Sequence, residues 1–111
     1  MEYCPDNWVI VKIPAQQTEA GYYYKVLAGW SGSYIDGDSW RLNSGITECV
    51  REEPYFLFYG SSGSCYKCHE DSYGLRVNNG FVYNDLKDHG ATMVDRDTNW
   101  MDVEWQFFGK K

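Results

Sequence analysis

The sequence predicts an α+β domain: a curved antiparallel β-meander of about five to seven strands, with one helix packed on it in the C-terminal third. Three observations predict it. Short apolar or alternating runs recur through residues 7–59, separated by Gly, Pro, Asn, Asp and Ser. One stretch with helical punctuation follows, between Asn78 and Gly90. The 111 residues, 43% of them hydrophobic, suit a single globular domain (residues 1–111) with one core and no repeats, low-complexity tracts or linkers.

The elements follow in order. Asn7 to Ile13 (NWVIVKI) is apolar on both faces, which suits a central strand, and Pro14 closes it. Tyr22 to Trp30 alternates, with Tyr22, Tyr24, Val26, Ala28 and Trp30 on one face. Residues 31–38 (SGSYIDGD) are rich in turn formers, and Asp36-Gly37 is their best tight-turn dipeptide. Ser39 to Leu42 forms a short strand that Asn43-Ser44-Gly45 reverses; Ile46 to Glu52 and Pro54 to Tyr59 form the next two. Asn78-Asn79 caps a helix over Gly80 to His89, with Val82, Leu86 and His89 on one stripe and Gly90 as its terminating glycine. Ala91 to Asp95 is a further strand. Met101, Val103, Trp105 and Phe107 alternate with Asp102, Glu104 and Gln106, the pattern of a final strand with one wet face.

Charge narrows the function classes. Sixteen acidic against ten basic residues give a formal charge of −6, and no Lys/Arg cluster offsets it, so no direct nucleic-acid binding is expected. Such a surface fits a basic partner, including by imitation of nucleic acid. Five Trp, ten Tyr and five Phe are more than one small domain easily hides, so several should be partly exposed. The start, Met1 to Asp6, has no basic n-region, and Trp8 to Ile13 is too short for a signal h-region or a membrane span. The expectation is a cytoplasmic protein without membrane contact. In that reducing setting Cys4, Cys49, Cys65 and Cys68 are thiols or ligands rather than disulfides.

The stretch SCYKCHEDSYG (Ser64 to Gly74) carries the most chemistry on paper. Cys65-x-x-Cys68-His69 has the spacing of covalent haem attachment, with His89, Met93 or Met101 as a possible sixth ligand. It follows a strand and a Ser/Gly run rather than lying on a helix, and haem is not expected. The same cluster offers two thiolates and an imidazole to zinc, with a fourth ligand from Cys49 or His89 and Cys4 as a further candidate. It lacks the second close pair of a zinc module. A thioredoxin-like role would need a later proline, yet Pro5, Pro14 and Pro54 all lie upstream. The plain alternative is that Cys65 and Cys68 pack near a strand end as small apolar residues, with His69 half exposed.

Other motifs are incomplete. Gly60-Ser-Ser-Gly-Ser64 lacks the Gly-Lys-Ser/Thr of a phosphate loop and the final Gly of a nucleophile elbow, and Gly29-Trp-Ser-Gly-Ser33 fails the same way. Asp95, Asp97 and Asn99 occupy three calcium-loop positions, but Trp100 and Gln106 stand where Gly and Glu are needed. No carboxylate pair or cysteine–histidine pair completes a catalytic constellation. The two Ser/Gly loops with Trp30, Tyr34, Trp40, Ser62, Ser64 and Tyr66 are the best candidates for a binding rim.

The runs DSWRLNSGIT (Asp38 to Thr47) and FLFYGSSGSCYKCH (Phe56 to His69), with Tyr73-Gly74, resemble a group of small uncharacterised proteins from marine phages, cyanophages among them, and from ocean metagenomes. WVIVKI and DTNW (Asp97 to Trp100) share the likeness, which reaches to about Trp100 and leaves Met101 to Lys111 as an extension. The resemblance implies a protein acting inside an infected bacterium. It brings no activity, catalytic residue or cofactor, haem included. The resulting expectation is a non-enzymatic accessory protein without cofactor, binding a host or phage protein through an aromatic-rich acidic surface. A zinc protein is the alternative, and homodimerisation through an edge strand stays open.

Overall fold

The computed structural model describes residues 1–16, 21–32 and 39–105. Its elements are β1 (Glu2–Tyr3), β2 (Asn7–Pro14), β3 (Tyr22–Trp30), β4 (Ser39–Leu42), β5 (Ile46–Glu52), β6 (Tyr55–Gly60), β7 (Cys65–His69), a 3-10 turn (Glu70–Ser72), α1 (Val77–Lys87) and β8 (Thr92–Met93). The α+β class is as expected, but the meander divides into two four-stranded sheets, ordered β4-β3-β2-β8 and β1-β7-β6-β5. All neighbours pair antiparallel except β1 and β7.

The division happens at Asn43. Its backbone N–H donates to Val26 O at 3.0 Å, while its side-chain Oδ1 accepts from Val26 N at 2.8 Å. The side chain thus takes the place of the next rung of the ladder, and Ser44-Gly45 can carry the chain to the other sheet. Gly45 does so at φ 136, a conformation that L side chains avoid.

The sheets face each other over an aromatic core. Trp8, Ile10, Val26 and Ala28 from one sheet meet Ile46, Cys49, Phe58, Tyr66 and Cys68 from the other, with Trp100 closing the side. Trp8 is the hub: its ring centroid lies 4.8 Å from Tyr73, 5.4 Å from Phe58 and 6.0 Å from Trp100. Its Nε1–H donates to His69 O at 2.8 Å, so the indole's one polar group is satisfied. The Tyr73 hydroxyl accepts from Ile10 N and donates to Val94 O, wedged between β2 and β8.

Helix α1 covers the opposite face of the first sheet, where Val82 packs on Val9, Val11 and Leu27. Strand β2 is therefore covered from both sides, which accounts for its doubly apolar sequence. Buried Asn7 and Asn79 tie the layers together. Asn7 Nδ2 donates to Gly74 O and Asn79 Oδ1, and Asn79 Nδ2 donates to Leu27 O at 3.2 Å.

The strand expected over Pro54 to Tyr59 shifts by one residue to Tyr55–Gly60, and that from Asn7 extends through Pro14, but the larger departures lie in the last third. The helix runs over Val77–Lys87, because Asn79 Oδ1 accepts from Arg76 N at 3.0 Å from within the first turn instead of capping from outside it. His89 consequently lies past the helix, and Gly90 (φ +97) ends the turn. The strand expected over Ala91 to Asp95 shrinks to Thr92–Met93. Met101 to Trp105 forms no strand: Asp102 N donates to Asn99 O at 2.9 Å in a turn, and Trp105 stacks on Trp100 at 6.5 Å. Val103 and Trp105 pack against the core while Met101 is exposed, so the alternation there does not mark a pleat. Asp36-Gly37 and Phe107 lie outside the described residues.

Candidate functional site

The Cys65-x-x-Cys68-His69 cluster is a strand, and the strand pulls it apart. On β7, side chains alternate, so Cys65 and Cys68 project from opposite faces. Cys68 lies in the inter-sheet core with Cys49, Phe58 and Tyr66. Cys65 stands opposite its cross-strand partner Tyr59, on the other face. Three strand rises put their Cα atoms about 10 Å apart. One zinc ion needs both sulfurs within about 2.3 Å of itself, and a disulfide needs Cα atoms within about 7 Å.

The remaining candidates do not converge either. His69 caps the 3-10 turn, its Nδ1 accepting from Asp71 N at 3.1 Å, and its ring meets Tyr55 edge-on at 5.2 Å. His89 is exposed in the helix layer, with Nδ1 2.9 Å from Asp85 O. Among the described residues no group of three or more His, Cys, Asp or Glu side chains could hold a metal ion. Burial pushes the Cys49 thiol up to about 12 and the Cys68 thiol well above its ordinary range. Both are poor thiolates and behave as core residues. Exposed Cys4 is the accessible thiol.

The expected binding rim separates as well. Tyr66 is buried, 5.0 Å from the Tyr3 ring, and burial pushes its hydroxyl up to about 12. Trp30 is half-buried, and its Nε1–H donates to Cys4 O at 2.9 Å. Exposed Ser62 is pinned by its N–H donating to Ser44 Oγ at 3.0 Å, and half-exposed Ser64 accepts from Gly60 N at 2.9 Å. The Gly60–Ser64 loop is thus a tied hairpin turn. Tyr34 lies outside the described residues. Among the described residues of that expected rim, Trp40 lines an open concavity and is 44% exposed.

That concavity is a groove of about 470 Å³ between β4 and α1, lined by Trp40, Leu42, Phe81, Val82, Asp85 and Leu86. Its origin is local. Trp40 and Leu42 alternate with Arg41, so both point to the helix side of β4, while the Arg41 guanidinium lies 4.5 Å over Tyr3. Gly29 is the cross-strand partner of Trp40 and presents no side chain to α1. An added Cβ there would lie 2.2 Å from Asn78 Oδ1, so the start of the helix seats directly on this glycine. Asn78 Nδ2 donates to Asn7 Oδ1 at 2.7 Å and holds that seat. With the helix drawn over β2 and β3, the space beside it above β4 stays open. Phe81, 62% exposed, forms the far wall, and Asp85, one turn on, supplies the groove's one ionisable group among the described lining residues.

Phe81 and Asp85 escape a reading based on periodicity. Val82 and Leu86 define the helix's core stripe, and Phe81 sits one residue ahead of it as an apolar side chain outside that stripe. That excess is the trace of the groove in the sequence. Comparison with protein-family models, with curated proteins and with solved structures finds no match. No described helix is long and apolar enough to cross a membrane.

Proposed function

We propose that this protein is a non-enzymatic binding module whose partner is another protein, held by an aromatic-rich, acidic surface centred on the Trp40–Phe81 groove. The exposure of Trp40 and Phe81 on facing walls of one groove carries this reading. Aromatic anchors in pockets supply much of the energy of protein interfaces, and large rings left exposed side by side mark such sites. The formal charge of −6 and Asp85 in the groove favour a partner with a basic surface. The resemblance to marine-phage proteins extends the proposal to a setting, in which the partner is a host or phage protein inside an infected bacterium.

Paired affinity captures test the reading. Wild-type protein and a Trp40→Ala/Phe81→Ala variant serve as baits in lysate of a phage-infected marine bacterium. The expected result is a partner retained by the wild type and lost by the variant. A partner kept equally by both, or none in repeated captures, overturns the proposal.

A further inference from the structure

The groove lies against a sheet edge, and the same two residues shape both. In the β3–β4 ladder Asn43 and Val26 form a hydrogen-bonded pair, so by antiparallel alternation Arg41–Ala28 and Ser39–Trp30 are bonded pairs. Trp40–Gly29 and Leu42–Leu27 are the non-bonded pairs between them. Gly29 O agrees with this register, since it accepts from Asp6 N on the side away from β4. The backbone N–H and C=O groups of Trp40 and Leu42 therefore point outward from β4, where no described strand pairs with them. Their side chains meanwhile line the groove.

We propose that the occupant is an extended segment of the partner, added to the β4 edge as a fifth strand. This inference rests on the binding reading above and specifies its mode. Backbone bonds to Trp40 and Leu42 hold the segment, and its residues opposite them point their side chains between Trp40, Phe81 and Leu86. Strand period makes those side chains an alternating pair, apolar at i and i+2. Asp85, placed one turn from Phe81 on the groove wall, selects a Lys or Arg beside that pair. Charge argues against a second copy as the occupant: each chain carries −6, and a symmetric β4–β4 pairing brings two Asp85-bearing grooves together.

The test pans a displayed random decapeptide library on the full chain, then synthesises the selected peptides. The expected consensus is apolar–x–apolar with an adjacent Lys or Arg. N-methylation of the peptide amides facing β4 should abolish binding, and binding should slow amide exchange at Trp40 and Leu42. Phe81→Ala should weaken it roughly tenfold or more, and Asp85→Asn about threefold, an effect that shrinks in high salt. Peptides that need Phe81 but tolerate N-methylation overturn strand addition and leave the groove reading standing. Peptides insensitive to both overturn the groove as well. A selection without consensus, or a Trp40-dependent dimer in sedimentation, overturns the proposed occupant.

Discussion

The sheet formed by β2, β3, β4 and β8 has two very different faces. Its inner face meets the second sheet in a closed aromatic core, where Trp8, Phe58, Tyr66 and Trp100 are all buried. Its outer face meets one eleven-residue helix, packs four buried apolar residues and is seated through Asn7, Asn78 and Asn79. The inner face meets a second sheet that also has four strands. The outer cover is narrower than the sheet, and Trp40 with Phe81 stays accessible beside it. The inner face therefore carries stability, and the uncovered strip of the outer face is where binding can occur without unfolding anything.

Removing the hub of the inner face should have the largest effect. Trp8→Ala deletes a buried indole with ring contacts to Tyr73, Phe58, Phe56 and Trp100, and is expected to cost about 3–5 kcal/mol in urea denaturation. A cost below about 1 kcal/mol would mean the two faces do not differ as described.

Next comes the helix seat. Gly29→Ala places a methyl 2.2 Å from Asn78 Oδ1 and should destabilise by about 1–3 kcal/mol. Much of that cost should vanish in an Asn78→Ala background, because the clash is then gone; strictly additive losses in the double-mutant cycle would refute the direct contact.

Alkaline titration separates the buried core from the surface more gently. Burial raises Tyr66 and Tyr73 from the ordinary 10 to about 12, and Cys49 from 9 to about 12. These groups stay protonated when folded and ionise first in the unfolded chain. Their contribution is whole below about pH 9, falls as pH rises through the unfolded values and is lost by about pH 12. Urea midpoints should therefore hold steady to about pH 9 and decline beyond it. A midpoint rising over that range would contradict the burial of these groups.

The smallest stability effects belong to the groove. Trp40→Ala and Phe81→Ala should each cost far less than Trp8→Ala, about 1 kcal/mol or below, since both rings stay exposed and neither belongs to the buried core. Either variant unfolding as readily as Trp8→Ala would place its ring in the core rather than at a binding surface.

Much of the fold is legible in the sequence because strand patterns are local. Tyr22–Trp30, Ser39–Leu42 and Ile46–Glu52 occur with the boundaries their alternation and turn residues dictate. The errors come from residues whose partners are distant in sequence. Asn79 resembles a cap from outside the helix, yet its amide answers to Arg76, Asn7 and Leu27 at once. Trp105 resembles a strand residue because core aromatics beyond its neighbours, Tyr24 and Phe58, attract its ring. Of the expected binding residues, Trp40 alone lines the open groove among those described, because exposure is a property of what packs nearby.

The sequence by itself determines the α+β class, most strand positions, the acidic charge and the surplus of aromatic rings. Those properties follow from local period, turn chemistry and composition. The tertiary structure decides which rings are surplus. It buries Tyr66, parts Cys65 from Cys68 across the faces of β7, and brings Trp40 opposite Phe81 across a gap left beside a helix seated on Gly29. These placements depend on strand order and helix position, which are set by contacts between residues far apart in the chain, and periodicity along the chain carries no record of them.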